Sequence, residues 1–149
     1  RLASAIPVEM STKYQSMMFD VPLDDRLEYI HPADAALAIC NAVEHAEVWG
    51  KVLHLGGGPR CQLRERDIVQ GAFETIGIGA LPEEYFSTQS YYTDWLDTEE
   101  SQRLLNYQRY TFADHLESLK KSLGWQIPFI KLFSPLIRYF LVKQSKYQK

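Results

Sequence analysis

Residues 26–34 read Arg26-Leu27-Glu28-Tyr29-Ile30-His31-Pro32-Ala33-Asp34, and this stretch sets how the rest of the chain divides. Leu27 to Ile30 is short, apolar and aromatic, the composition of a strand. Pro32 closes the extended run: the residue before a proline avoids the helical region, whereas proline itself suits a first helical turn. From Ala33 to Glu47, Ala36, Leu37, Ile39, Cys40 and Val43 recur at helical spacing, and Gly50 stops the pattern. Lys51 to Leu55 then alternates and is β-branched enough to predict a second strand, running into Gly56-Gly57-Gly58-Pro59. Strand, helix and strand in this order point to a mixed α/β fold class.

Outward from this centre, Leu63 to Ile76 predicts a helix through Ile68, Val69, Ala72, Phe73 and Ile76, closed by Gly77. An aromatic loop with Tyr85, Phe86, Tyr91, Tyr92 and Trp95 follows. Asp97-Thr98-Glu99-Glu100 gives an N-terminal signal for a short helix through Leu105. Thr111 caps a fourth helix, with Phe112, Leu116, Leu119 and Leu123 on one face and Gly124 at its end. The opening residues 1–25 are irregular, broken by Pro7 and Pro22, with a strand candidate at Met17-Met18-Phe19. No repeat or low-complexity linker divides the chain, so residues 1–127 read as one body and 128–149 as a basic amphipathic helix. That helix begins on a Ser134-Pro135 cap and sets Leu136, Ile137, Phe140 and Leu141 among Arg138, Lys143 and Lys146. It suits packing on the body or on a further domain, or contact with an anionic membrane surface.

The chain has 149 residues, 46% of them hydrophobic, enough for one packed core. Its net charge of −3 hides an asymmetry, because Glu117 is the last acid and only Lys and Arg follow it. An acidic body argues against a nucleic-acid surface, whose phosphate contacts need clustered Lys and Arg. Cys40 and Cys61 lie far apart without neighbouring thiols, which fits a reducing, cytoplasmic setting. The four histidines lack metal-site spacing. The apolar runs near the C-terminus are interrupted by Lys131, Ser134, Pro135 and Arg138, too often for a bilayer span. A first residue Arg1, with no signal-like stretch behind it, predicts a fragment or processed product.

Four features carry possible chemistry. Gly56-Gly57-Gly58 follows a predicted strand, but the third glycine of a dinucleotide fingerprint is absent: that position is Cys61. A tight connection to the next helix is the simpler reading. Tyr139 and Lys143 have the Tyr-x-x-x-Lys spacing of short-chain dehydrogenases, yet Ile127 stands where such enzymes carry Ser or Thr. Asp34, at a helix start, suits an N-terminal cap. His31 sits in a strand-to-turn step, open either to a backbone bond or to a substrate.

Taken in order, Arg26 to Ala36, the following helix, and Val52-Leu53-His54-Leu55-Gly56-Gly57 resemble the C-terminal half of extended short-chain dehydrogenase/reductases, the NAD-dependent epimerase/dehydratase family. Asp97-Thr98 through Leu104-Leu105-Asn106-Tyr107 is similar to a later step of that pattern, and the resemblance covers roughly Asp20 to Gly124. It implies a helix-rich, substrate-side portion that works with an N-terminal Rossmann half, which binds NAD or NADP. The family's glycine-rich fingerprint and its catalytic Ser/Thr, Tyr and Lys lie upstream of the matched region, so no catalytic or cofactor residue is assigned here, and this chain alone is expected to be inactive. Arg26, Tyr29 and His31 are the candidate substrate-binding residues. Sugar-nucleotide epimerases place an arginine where this sequence has Leu27, and their later arginines are replaced by the stretch Glu84 to Tyr92. Both departures turn the expectation toward a less charged small molecule. The alternative is a non-enzymatic binding or regulatory module that meets a partner, or a membrane surface, through its aromatic loop or basic tail. Either way, a surface shaped to dock on a Rossmann half predicts self-association of the isolated chain.

Overall fold

The computed structural model describes residues 16–147. A 3-10 turn (Met18–Asp20) leads to strand β1 (Arg26–Glu28) and helix α1 (Pro32–Glu44). Residues 51–58 run without helix or strand to a 3-10 turn (Pro59–Cys61), strand β2 (Gln62–Arg64) and helix α2 (Glu65–Thr75). Beyond the aromatic loop come α3 (Glu99–Leu105), α4 (Phe112–Leu123), α5 (Ile127–Leu132) and α6 (Ser134–Val142). The architecture is mixed α/β but helix-rich, with one small two-stranded sheet among the described residues.

β1 and β2 pair antiparallel, with Arg26 opposite Arg64, Leu27 opposite Leu63 and Glu28 opposite Gln62. Two guanidinium groups facing each other across a ladder repel. They are drawn apart here: Arg64 donates to the Asp24 carbonyl at 2.6 Å, and Arg26 lies 3.6 Å from the Asp94 carboxylate. Tyr29 N–H donating to the Cys61 carbonyl at 2.9 Å extends the pairing by one more rung.

The step from β1 into α1 departs from the expected cap. His31, not Asp34, is the N-cap residue, and its Nδ1 accepts from the Ala33 N–H at 3.2 Å. Asp34 lies inside the first turn and is fully buried. Its Oδ2 accepts from the backbone N–H groups of Arg109 and Tyr110, at 3.1 and 3.0 Å. The carboxylate therefore latches the loop after α3 onto the start of α1, across more than seventy residues of chain. Tyr107, also fully buried, makes a second latch beside it. Its hydroxyl donates to the Gly56 carbonyl at 2.9 Å and lies 3.1 Å from the Gly56 N–H.

Among the described residues the buried apolar side chains gather in two clusters. Phe19, Leu23, Val69, Leu81 and Phe86 form the first, and Leu141, Val142 and Tyr147 from the end of the chain pack against it. Ala38, Leu104, Leu105 and Tyr107 form the second, covered by Ile30, Leu37, Leu53 and Leu55. Helix α1 meets this second cluster through Leu37, Ala38 and Ala42. The stripe Ala36, Ile39, Cys40 and Val43 faces outward instead, with Ile39 62% and Val43 71% exposed.

Other expectations also change. The apolar run at 17–19 is helical, not a strand; Phe19 is fully buried, and three apolar residues in a row do not distinguish a strand from a buried turn. Residues 51–55 keep the alternation of a strand, with Leu53 and Leu55 turned in and Val52 92% exposed, but they have no ladder partner among the described residues. Without a partner, alternation yields an extended arm. Leu63 and Arg64, read as the start of a helix, belong instead to β2, because the backbone there is claimed by β1. Helix α1 ends at Glu44, ahead of the expected Glu47, and a 3-10 turn (Ala46–Val48) takes up the next residues. Ser134 is inside α6, whose N-cap is Phe133. The expectations that hold are equally local. Gly77 has φ 86 after α2, and Thr111 and Asp114 cap α4 reciprocally.

Truncating Asp34 leaves two backbone donors without an acceptor, so Asp34→Ala is expected to lower unfolding free energy by about 3 kcal/mol, and Tyr107→Phe by about 2 kcal/mol. Urea denaturation checks both, with the m-value expected to stay constant.

Candidate functional site

The candidate site grows out of β1, whose residues alternate between its two faces. Arg26 and Glu28 share one face. The Arg26 guanidinium lies 4.6 Å from the Trp95 ring centroid, a cation–π contact, and is held from the other side by Asp94. Trp95 is fixed in turn by its indole N–H, which donates to the Leu63 carbonyl at 3.1 Å. Glu28 ties three segments together: Oε1 accepts from the Gly58 N–H at 2.8 Å, while Oε2 accepts from the Leu96 N–H at 2.9 Å and from Gln62 Nε2 at 3.4 Å.

These bonds shape a cleft of 530 Å³ whose walls include Gln62, Leu96, Thr98, Gln102, Arg103 and Gln108. Its rear wall is fixed before any ligand arrives. Gln102 Oε1 accepts from the Tyr107 and Gln108 N–H groups, both at 3.0 Å, and Gln108 Nε2 donates to the Gly56 carbonyl and to Thr98 Oγ1, again at 3.0 Å. Arg103 brings a cation to the cleft, and Asp97 and Glu99 bring carboxylates. The rest of the exposed lining is mainly apolar, and charges of both signs in one concavity suit a ligand of low net charge better than a polyanion.

The other two residues chosen from sequence lie elsewhere. Tyr29 and His31 join an aromatic cluster with Tyr110, Phe112 and His115. Tyr29 is 5.2 Å from Phe112 and 5.4 Å from His115, and His31 is 4.5 Å from Tyr110, measured between ring centroids. Burial pushes the Tyr29 phenol above its usual range, helped by Cys61 and Asp34, and its buried oxygen has no partner among the described residues. The structure thus brings Tyr29 and His31 together and sets Arg26 apart with Trp95. Glu28, Trp95, Gln102, Arg103 and Gln108 were not singled out as site residues from sequence. Two of them carried a signal: Glu28, two residues from Arg26 on the same strand, and Trp95, as a member of the aromatic loop.

The glycine run is occupied from within. The N–H groups of Gly56, Gly57 and Gly58 are directed to Tyr107 Oη, the Tyr29 carbonyl and Glu28 Oε1. At Gly57 a side chain would collide with the Tyr29 carbonyl and with Cys61, so the turn requires glycine for close approach. The Tyr139–Lys143 pair is an exposed contact, with Lys143 Nζ 4.4 Å from the ring centroid. Cys40 and Cys61 are both free, one exposed and one buried. Among the described residues no three of His, Cys, Asp and Glu converge as a metal set.

A second cavity, of 340 Å³, lies between Asp24, Asp25, Arg66, Glu83, Ser87 and Thr88. Arg66 is already engaged there, by Asp24 Oδ1 at 2.8 Å and Glu83 Oε1 at 3.1 Å. Next to Asp25, the first residue of α2 is a buried carboxyl, Glu65. Desolvation, with the Asp25 charge added, raises its pKa from 4.5 to about 7.

The chain matches no family model, no curated protein and no solved structure.

A carboxyl whose folded pKa lies above its unfolded one binds its proton more tightly when folded. Glu65 therefore costs nothing below about pH 4.5, and its penalty grows until the pH passes about 7. Glu65→Gln is expected to stabilise the chain by roughly 2 kcal/mol at pH 8 and by little at pH 4, measured as urea midpoints across that range.

Proposed function

We propose that this chain is the substrate-side part of an NAD(P)-dependent epimerase, dehydratase or reductase of the extended short-chain dehydrogenase/reductase type. A Rossmann half of the same polypeptide completes it, carrying NAD or NADP and the catalytic Ser/Thr, Tyr and Lys. The observation that carries this reading is the apolar surface formed by the outer stripe of α1, with Trp49 and Val52. Helix α1 is apolar on two sides, yet only the side bearing Leu37, Ala38 and Ala42 is covered. Beside it, residues 51–55 have the in–out alternation of a strand and no strand to pair with among the described residues. A helix that needs cover and an arm that needs a ladder, adjacent in sequence, are the two requirements that the edge of a parallel sheet with its flanking helices meets.

The substrate is a small molecule of low charge held in the cleft lined by Gln62, Leu96 and Gln102, two of whose walls Glu28 bonds. This is supported by the cleft's mainly apolar lining with charges of both signs, and by the pairing of Arg26 with Asp94, which leaves little net charge for a diphosphate. Tyr29 and His31 act behind this site: His31 caps α1, and Tyr29 packs under α4. Their contribution to substrate binding is positional.

The test is made on the gene product isolated from its own host. Its intact mass is expected to exceed that of this chain, and the protein is expected to quench or enhance the fluorescence of NADH or NADPH on binding. A product of this size that binds neither dinucleotide overturns the reading. Val52→Glu gives a second measure: in this chain alone it is expected to shift stability by no more than about 0.5 kcal/mol, since Val52 is exposed, whereas in the intact product it buries a charge at the junction and costs about 3 kcal/mol.

A further inference from the structure

The end of the chain has an inner and an outer side. On the inner side α5 sits against Gly77, whose absent side chain would lie 3.3 Å from Lys131 Cβ and 3.4 Å from Ile127 Cγ2. Leu141 and Val142 enter the first core, the Tyr147 hydroxyl donates to Asp20 at 2.9 Å, and Lys146 pairs with the same carboxylate at 2.9 Å. The segment is therefore anchored to the body at both of its ends. On the outer side Trp125, Phe129, Leu132, Phe133, Leu136 and Phe140 are all more than half exposed, with Trp125 at 75% and Leu132 at 71%. So dense a run of large apolar side chains on a monomer's surface marks a contact site.

Charge identifies what the contact is with. After Glu117 every ionisable side chain in the sequence that is charged at neutral pH is Lys or Arg. Lys131, Arg138 and Lys143 have no acidic partner among the described residues, and the first and last of them are exposed. Protein interfaces are depleted in lysine at their centre, whereas an exposed apolar and aromatic face set among lysines matches acyl chains below anionic headgroups. No helix among the described residues is long and apolar enough to cross a membrane. Helices of six and nine residues joined at a bend, as α5 and α6 are, instead lie along a surface.

We propose that the α5–α6 segment is a membrane-surface anchor, with Trp125, Phe129, Leu132 and Leu136 inserted at the headgroup boundary and Lys131 and Lys143 on anionic lipid. The proposal stands on its own, whether or not a dinucleotide-binding half completes the chain. It is tested by sedimenting the full chain with vesicles of phosphatidylcholine alone and of phosphatidylcholine mixed with phosphatidylserine. Binding is expected on the mixed vesicles, weakened by salt. Lys131→Gln with Lys143→Gln is expected to lower the partition coefficient about fivefold per lysine. Leu132→Glu with Leu136→Glu is expected to lower it by about tenfold or more, and both positions are exposed, so thermal unfolding by circular dichroism should be unchanged. Should the glutamate pair fail to fold, the lysine pair reads the proposal by itself. Equal binding to both vesicles, no binding to either, or indifference to the lysine pair overturns it. So does a dimer, seen by analytical ultracentrifugation, that the leucine substitutions dissolve while vesicle binding is absent; the face then belongs to a second copy of the chain.

Discussion

A single buried carboxylate organises the half of this molecule that contains the cleft. Asp34 is out of water, where an ionised carboxyl is costly unless its lone pairs are used. Two backbone N–H groups at 3.0 and 3.1 Å use one of its oxygens, Oδ2, while Oδ1 is buried with no partner among the described residues, and the positive end of α1 offsets part of that cost. The loop between α3 and α4 is consequently held at the start of α1, and the elements on either side follow. Tyr107 reaches Gly56, Gln108 reaches Gly56 and Thr98, and Thr111 begins α4. Gly56 is where these ties meet, so the loop that might have cradled a phosphate serves as the fold's internal junction.

The second organising group is Glu28, which converts the small sheet into one wall of a cavity. The antiparallel pair is only three residues long on each side, too short to be stable alone. Glu28 extends its influence by bonding Gly58, Gln62 and Leu96 together. A carboxylate with three partners is poorly suited to proton transfer and well suited to holding a shape.

Two kinds of unfinished surface remain, and they differ in character. Around α1 the exposed residues are aliphatic with Trp49, set beside an extended arm that lacks a ladder. Around α5 and α6 they are largely aromatic and accompanied only by basic residues. The first has the features of a surface made for secondary structure, the second those of a surface made for a solvent boundary.

The sequence by itself determined the local features: the turn at Pro32, the helices ended by Gly77 and Gly124, the capping box at Thr111, and the basic character of the tail. Each depends on interactions within a few residues, which composition and spacing record. Tertiary structure decided what depends on distant partners. Leu63 and Arg64 became strand because β1 stood next to them, and 51–55 stayed unpaired because no strand among the described residues lies alongside. Asp34 left the capping position because His31 filled it and the 109–110 backbone needed an acceptor. Helical spacing identified an apolar face on α1, but two such faces exist, and which of them is covered depends on the position of the second core. Arg26 parted from Tyr29 for the same reason, since strand alternation sends them to opposite sides while what waits on each side is set by Trp95 and Phe112, residues many positions away.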